Sequence, residues 1–251
     1  MEKIKYSVVI IIISGGLFFL FCPEVAPDNL QPQEILNAVQ GSDVIIFFNS
    51  GGWGNTPFEK AEDFGPIVKE IQTTLEGWGY DSVVIPYNRT KNSFLGKVDG
   101  ARDFLSSFES SSSILAGEIE FLTEKLPEKK IIVAGLSAGG AFVTKTYDKI
   151  SESAKGSILT IAAGTPFWLK PSDSQDILQL DNAGKDSLSK GEIKTLLLSL
   201  VKPPIKWISA RISGEKTPLS LITNQFVGHF YDWETTSPEI ISFLEEKIVR
   251  P

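Results

Sequence analysis

The 251-residue sequence contains one cysteine, one histidine and one methionine. A single cysteine, Cys22, excludes an intrachain disulfide, and a single histidine, His229, excludes any metal centre built on several imidazoles or thiolates. Basic clusters are also missing. Lys and Arg number 24 against 31 Asp and Glu, a net charge of -7, and no block of Lys or Arg stands out that would neutralise a phosphate backbone. This argues against nucleic acid as a partner. No Asp-rich loop has calcium-binding spacing. No metal or other cofactor is therefore expected, and any chemistry has to come from side chains and backbone. The length suffices for one large domain whose core needs no covalent staple.

Charge is also absent from one continuous stretch. From Tyr6 to Cys22 (YSVVIIIISGGLFFLFC) there is no charged side chain, whereas Lys3 and Lys5 precede it and Glu24 and Asp28 follow it. Seventeen residues at about 1.5 Å each span roughly 25 Å, the short end of a membrane-crossing helix. The small residues of a cleavage site are missing before Pro23, and Phe21 stands where a lipidated cysteine would need a small neighbour. The expectation is an uncleaved, single-pass signal anchor at 1–22, with the lysines in the cytoplasm and the rest of the chain on the extracytoplasmic side. Residues 23–42, rich in Pro, Asn and Gln, read as a tether with a short helix at 32–39, and residues 43–251 as the folded domain.

Within that domain, short apolar runs alternate with amphipathic ones. DVIIFFN (43–49), DSVVIPY (81–87), KIIVAG (130–135) and SILTIAA (157–163) have the continuous hydrophobicity of strands buried on both faces of a parallel sheet. IKWIS (205–209) is the expected fifth strand. Helical spacing appears in PIVKEIQTTLEGWG, in SILAGEIEFLTEKL, after Gly139, and in PEIISFLEEKIV (238–249). Residues 92–113 show no clear period, and 165–204 form a long excursion. The fold class predicted is α/β, a mostly parallel sheet with helices on both faces.

One strand-to-helix junction carries a chemical signal. Gly135, Leu136, Ser137, Ala138 and Gly139 fit G-x-S-x-G, with a buried strand before and a helix after. On so sharp a turn the serine hydroxyl is exposed at the carboxyl edge of the sheet, beside a helix N-terminus that favours developing negative charge. A serine nucleophile needs a base. His229, in FVGHFYDW just before the last helix, is the one histidine available. At the end of the first domain strand, NSGGWG places Gly51, Gly52 and Trp53 in a turn whose backbone N–H groups can face a ligand.

The chain from about 43 to 248 resembles the α/β-hydrolase superfamily: NSGGW is similar to its HGGGW-like loop, GLSAG to its nucleophile elbow, and GHFYDW to its histidine loop. AAGTPF after the fourth strand resembles the GTP that follows the corresponding strand in lipase-like members. The resemblance implies that Ser137 attacks and His229 is the base. It also implies that N–H groups of Ala138 and of Gly51 or Gly52, with Trp53 beside them, bind the oxyanion and substrate. The chain departs from the pattern twice. Asn49 and Ser50 replace His-Gly, and Thr217 stands where the acid is customary. Glu215, two residues earlier, is taken as the acid, with Asp181, Asp186 and Asp232 as alternatives.

The expected activity is hydrolysis of acyl esters or thioesters through an acyl-enzyme on Ser137, on a small-molecule or lipid substrate. Segment 165–204, with Phe167, Trp168 and Leu169, is expected as a cap over an apolar acyl chain. Two other readings are an acyltransferase or peptidase using the same Ser-His pair, and a non-catalytic, membrane-tethered binding protein on a degenerate hydrolase fold. Asn88, Arg89 and Thr90 form a glycosylation sequon.

Overall fold

The computed structural model describes residues 26–169, 173–191 and 228–249. The expected anchor at 1–22, the strand at 205–209 and Glu215 lie outside them. Among the described residues no helix is long and apolar enough to cross a membrane.

The elements follow in the order α1 (Pro32–Ala38), β1 (Val44–Asn49), α2 (Gly65–Gly77), β2 (Ser82–Pro86), α3 (Phe94–Leu105), α4 (Glu109–Lys125), β3 (Lys130–Leu136), α5 (Ala138–Lys149), α6 (Glu152–Lys155), β4 (Ile158–Ala163), β5 (Ile177–Leu180), α7 (Ser187–Lys190) and α8 (Trp233–Leu244). The five strands form one parallel sheet in the order β2-β1-β3-β4-β5.

Successive strand residues point to opposite faces, and both faces are covered. Ile45, Phe47, Ile131, Val133 and Ile158 join Leu115, Ile119 and Phe142 of α4 and α5 in one core. Val44, Ile46, Phe48, Ile132 and Ile161 join Ile67, Val68, Ile71 and Ile240 of α2 and α8 in the other. Each fully buried side chain of this size contributes about 1.5–3 kcal/mol, so β1 admits no polar residue before Asn49 and β3 none after Lys130. β2 is the exception to the buried pattern expected at 81–87. It lies at an edge of the described sheet, and Ser82 to Val84 are half-buried.

Other boundaries differ from the sequence reading for identifiable reasons. Residues 92–113 hold helix α3 and the start of α4. Their periodicity is masked because Ser111 and Ser112 occupy helical positions and spend their hydroxyls on Asp103 Oδ1 (2.7 Å) and the Phe108 carbonyl (2.5 Å). The closing helix begins at Trp233, not 238. Asp232 caps it by accepting from Thr235 N at 2.8 Å, and Pro238 sits within it. The tether expected at 23–42 is part of the domain from α1 onward, because Ile35 and Val39 are fully buried in the core beside α4. Asn29 adds a reciprocal pair with the Asn88 backbone, both bonds at 2.9 Å.

The register sets where the chain can do chemistry. Asn49 pairs with Gly135, Leu136 with Ala163, and Ala163 with Leu180. Four strands therefore end level, and the loops that follow them share one carboxyl edge, where open α/β sheets bind ligands.

Candidate active site

At that edge Ser137 has φ 57° and ψ -117°, a conformation that costs a non-glycine residue on the order of 1–3 kcal/mol. The elbow persists because its neighbours leave no alternative. A Cβ added to Gly135 would lie 2.4 Å from the Gly139 carbonyl oxygen, one at Gly139 2.6 Å from that of Asn49, and one at Gly140 2.9 Å from that of Ala163. The serine N–H donates to the Ala163 carbonyl at 2.7 Å. Helix α5 starts at the next residue, so the Ala138 N–H belongs to its unpaired first turn.

The loop after β1 lies against this elbow. A Cβ on Gly51 would stand 3.3 Å from the Leu136 carbonyl oxygen and 3.6 Å from Ser137 Cβ. Gly52 (φ 55°) and Gly54 (φ 71°) take the left-handed conformation, which only glycine adopts freely. Trp53 is 47 % exposed beside them. Asn49, at the position of the resemblance's histidine, is buried and donates to the Ala134 carbonyl at 3.4 Å.

His229 faces the end of β4. A Cβ on Gly164 (φ 61°) would be 2.5 Å from its Cε1 and 2.9 Å from both its Nδ1 and Asp186 Oδ2. Gly164 directly follows the residue that holds Ser137 N, which brings the histidine and the serine to neighbouring strand ends. The Nδ1 lies 2.8 Å from Asp186 Oδ2.

The carboxylate at the histidine is thus Asp186, one of the alternatives, while Glu215 falls outside the described residues. Asp186 is fully buried. Its Oδ1 caps α7 by accepting from Leu188 N at 2.8 Å, and its Oδ2 also meets the Tyr231 hydroxyl at 2.6 Å. That hydroxyl lies 3.1 Å from the Leu180 carbonyl as well, but its single proton serves the shorter, charge-assisted contact. Burial works to raise the pKa of Asp186. The hydrogen bonds from His229 and Tyr231, the His229 charge and the Leu188 N–H outweigh it and hold the carboxyl below its ordinary range. Tyr231 moves the opposite way, raised by burial and by the adjacent carboxylate. An ionised Asp186 can only accept, so in the neutral imidazole the Nδ1 carries the proton and the Nε2 carries the lone pair.

Asp186 escapes a sequence reading because β5 does. ILQL is four residues long and lies in the stretch expected to be a cap, which leaves 205–209 as the strand after which an acid is expected. In the fold β5 adds to the sheet beside β4, and Asp186 lies in the loop that follows it. Part of the expected cap at 165–204 is therefore sheet and acid loop. Asn182 ties that loop to the histidine segment, donating to the Gly228 and Phe230 carbonyls at 2.8 and 3.0 Å. Asp181 caps the turn at Gly184 N and Asp232 caps α8. Among the described residues no cluster of three or more His, Cys, Asp or Glu could hold a metal ion.

The described residues form an α/β fold in which a parallel sheet brings together a serine at a strand-to-helix turn and a histidine paired with a buried carboxylate. Among solved structures it is similar to a cutinase from Trichoderma reesei in complex with a C11Y4 phosphonate inhibitor, at 20% identity and a TM-score of 0.43. The match covers 60% of this chain and 65% of that one, less than two thirds of its length. No protein-family model and no curated protein matches the sequence.

Proposed function

We propose that the protein is a serine hydrolase that cleaves carboxylic esters or thioesters through an acyl-enzyme on Ser137. The reading is carried by one observation: a serine strained at φ 57° on a strand-to-helix elbow, one strand away from a histidine whose Nδ1 is held 2.8 Å from a buried carboxylate. A turn that served packing alone would have no use for an adjacent buried acid paired to the chain's one imidazole.

In this mechanism His229 Nε2 takes the Ser137 proton as Oγ bonds to the carbonyl carbon. The carbonyl oxygen becomes an oxyanion, received by the N–H groups of Ala138 and Gly51, each about 2.7–4 kcal/mol of transition-state stabilisation in sites of this kind. The bond to the alcohol or thiol then breaks, and His229 returns its proton to the departing atom. Water repeats the cycle and releases the acid. Asp186 keeps the imidazole in the required tautomer and stabilises its protonated form.

The binding-protein alternative drew on the missing acid, and Asp186 removes that motive. An acyltransferase would use the same acyl-enzyme with a different acceptor. The uncharged run from Tyr6 to Cys22 supports a membrane anchor, with the domain on the extracytoplasmic side, and the exposed Phe167 and Trp168 support an apolar acyl preference. Purified protein should turn over p-nitrophenyl acyl esters, and Ser137→Ala and His229→Ala should each abolish turnover with the fold intact. Full-length protein should stay with membranes through a carbonate wash. Activity that survives Ser137→Ala would sink the mechanism, and release by carbonate would sink the anchor.

A further inference from the structure

The glycine loop at the site has no rigidity of its own. A Cβ on Gly52 would meet nothing within 4 Å, and one internal bond, Gly54 N to the Gly51 carbonyl at 3.0 Å, closes the turn. Its other carbonyls are all held from one place. Arg89 Nη2 donates to the Ser50 carbonyl at 3.3 Å and to that of Gly52 at 2.9 Å. Thr90 Oγ1 donates to the Trp53 carbonyl at 2.8 Å, and Arg89 N to that of Gly54 at 2.7 Å. Two consecutive residues after β2 thus bind four of the five carbonyls from 50 to 54.

This clamp has a directional consequence. In a trans peptide the C=O and the following N–H point in opposite directions. Fixing the Ser50 and Gly52 carbonyls toward the guanidinium turns the N–H groups of Gly51 and Trp53 away from it, and Gly51 is the residue packed against Ser137.

Arg89 is itself an expensive device, since it is 7 % exposed and has no carboxylate in ion-pair contact among the described residues. Its guanidinium lies 5.1 Å over the Phe108 ring and 5.7 Å over that of Phe142, and its Nε is buried without a hydrogen-bond partner. Burial lowers its pKa to about 10, with the Asp103 charge acting in the opposite sense, so it remains a cation at neutral pH. A fold that needed only to close a loop would not bury such a charge.

The structure assigns Arg89, with Thr90, as the positioning residue of the oxyanion hole: it sets the direction of the Gly51 N–H without touching substrate. This inference rests on the hydrolase reading. Arg89 also lines a cavity of about 490 Å³ with Tyr87, Arg102 and Glu118, which gives a small guanidine a route to its place.

The test is ester hydrolysis by Arg89→Lys, Arg89→Ala and Thr90→Val, with active sites titrated by an organophosphorus label so that every rate is per competent site. The expected result is a fall in kcat of at least about tenfold for the Arg89 variants, part of the 10²–10³ that losing an oxyanion donor costs. KM and the titre should stay near wild type, as when an interaction made only in the transition state is lost. Ethylguanidinium should restore part of the rate to Arg89→Ala and none to Thr90→Val. Should Arg89→Ala not fold, Arg89→Lys and Thr90→Val decide. Unchanged kcat in those two, or a loss that follows the titre alone, overturns the assignment while the hydrolase reading stands. A wild type that neither hydrolyses esters nor takes the label overturns the hydrolase reading and this role with it.

Discussion

Two turns meet at the carboxyl edge of the sheet, and they are rigid for opposite reasons. The Ser137 elbow is held by crowding: backbone oxygens of Asn49, Ala163 and Gly139 occupy the space that side chains at 139, 140 and 135 would need. The glycine loop at 50–54 stands in open space at Gly52 and is held by polar bonds from Arg89 and Thr90. A crowded turn writes its requirement into its own residues as glycines at set spacing. A clamped turn writes it elsewhere, in a buried cation 35 or more positions away in sequence.

That difference can be broken apart by substitution, and the largest effect should come from the acid that both turns serve. Asp186→Asn should lower turnover about ten-thousandfold, as loss of the orienting carboxylate does in a working triad. Glu215→Gln should leave turnover essentially unchanged. Steady-state kinetics on the two variants decides which carboxylate acts, and equal losses in both would contradict the geometry at His229.

The next contrast is between the turns themselves. Gly139→Ala drives a Cβ into two backbone oxygens, at 2.6 and 2.7 Å, and neither can retreat without moving the end of β1. Denaturant unfolding should show a loss of about 2–3 kcal/mol together with loss of activity. Gly52→Ala meets no atom and carries only the left-handed backbone cost, about 1 kcal/mol, with activity largely kept. If the two substitutions cost the same, crowding is not what holds the elbow.

The elbow was legible in the sequence for that reason. The spacing of small residues marks Ser137 and its glycines, His229 is the one histidine the sequence offers, and β1, β3 and β4 read as the continuous apolar runs that a doubly covered sheet requires. Asp186 was named among alternatives but not chosen, because β5 is four residues long and half-buried over most of its length, too short to show a period. Arg89 and Thr90 were visible as a sequon alone. A buried arginine looks like any other arginine in a sequence, and its three carbonyl partners, with the fourth held by Thr90, appear when the chain is folded. In the sequence Arg89 stands just after the DSVVIPY run; that this strand end lies beside the glycine loop follows from the pairing of β1 with β2.

The smallest effect concerns a group outside the site. Burial raises the Glu118 carboxyl to about 7, and its Oε2 is buried without a hydrogen-bond partner. With the folded value above the unfolded one, its contribution to stability is full below the unfolded value and fades as pH rises toward 7. Glu118→Gln should therefore raise Tm relative to wild type at pH 8 and not at pH 4.5. A Tm difference independent of pH would mean that the carboxyl is solvated.

The central claim is that Ser137 is a nucleophile made so by the Asp186–His229 pair. A fluorophosphonate label followed by peptide mass spectrometry tests it without knowledge of the natural substrate. The account predicts one adduct per chain, on Ser137, formed rapidly by wild type, far more slowly by Asp186→Asn and not at all by His229→Ala. No adduct on wild type, or an equal rate in all three proteins, would contradict it.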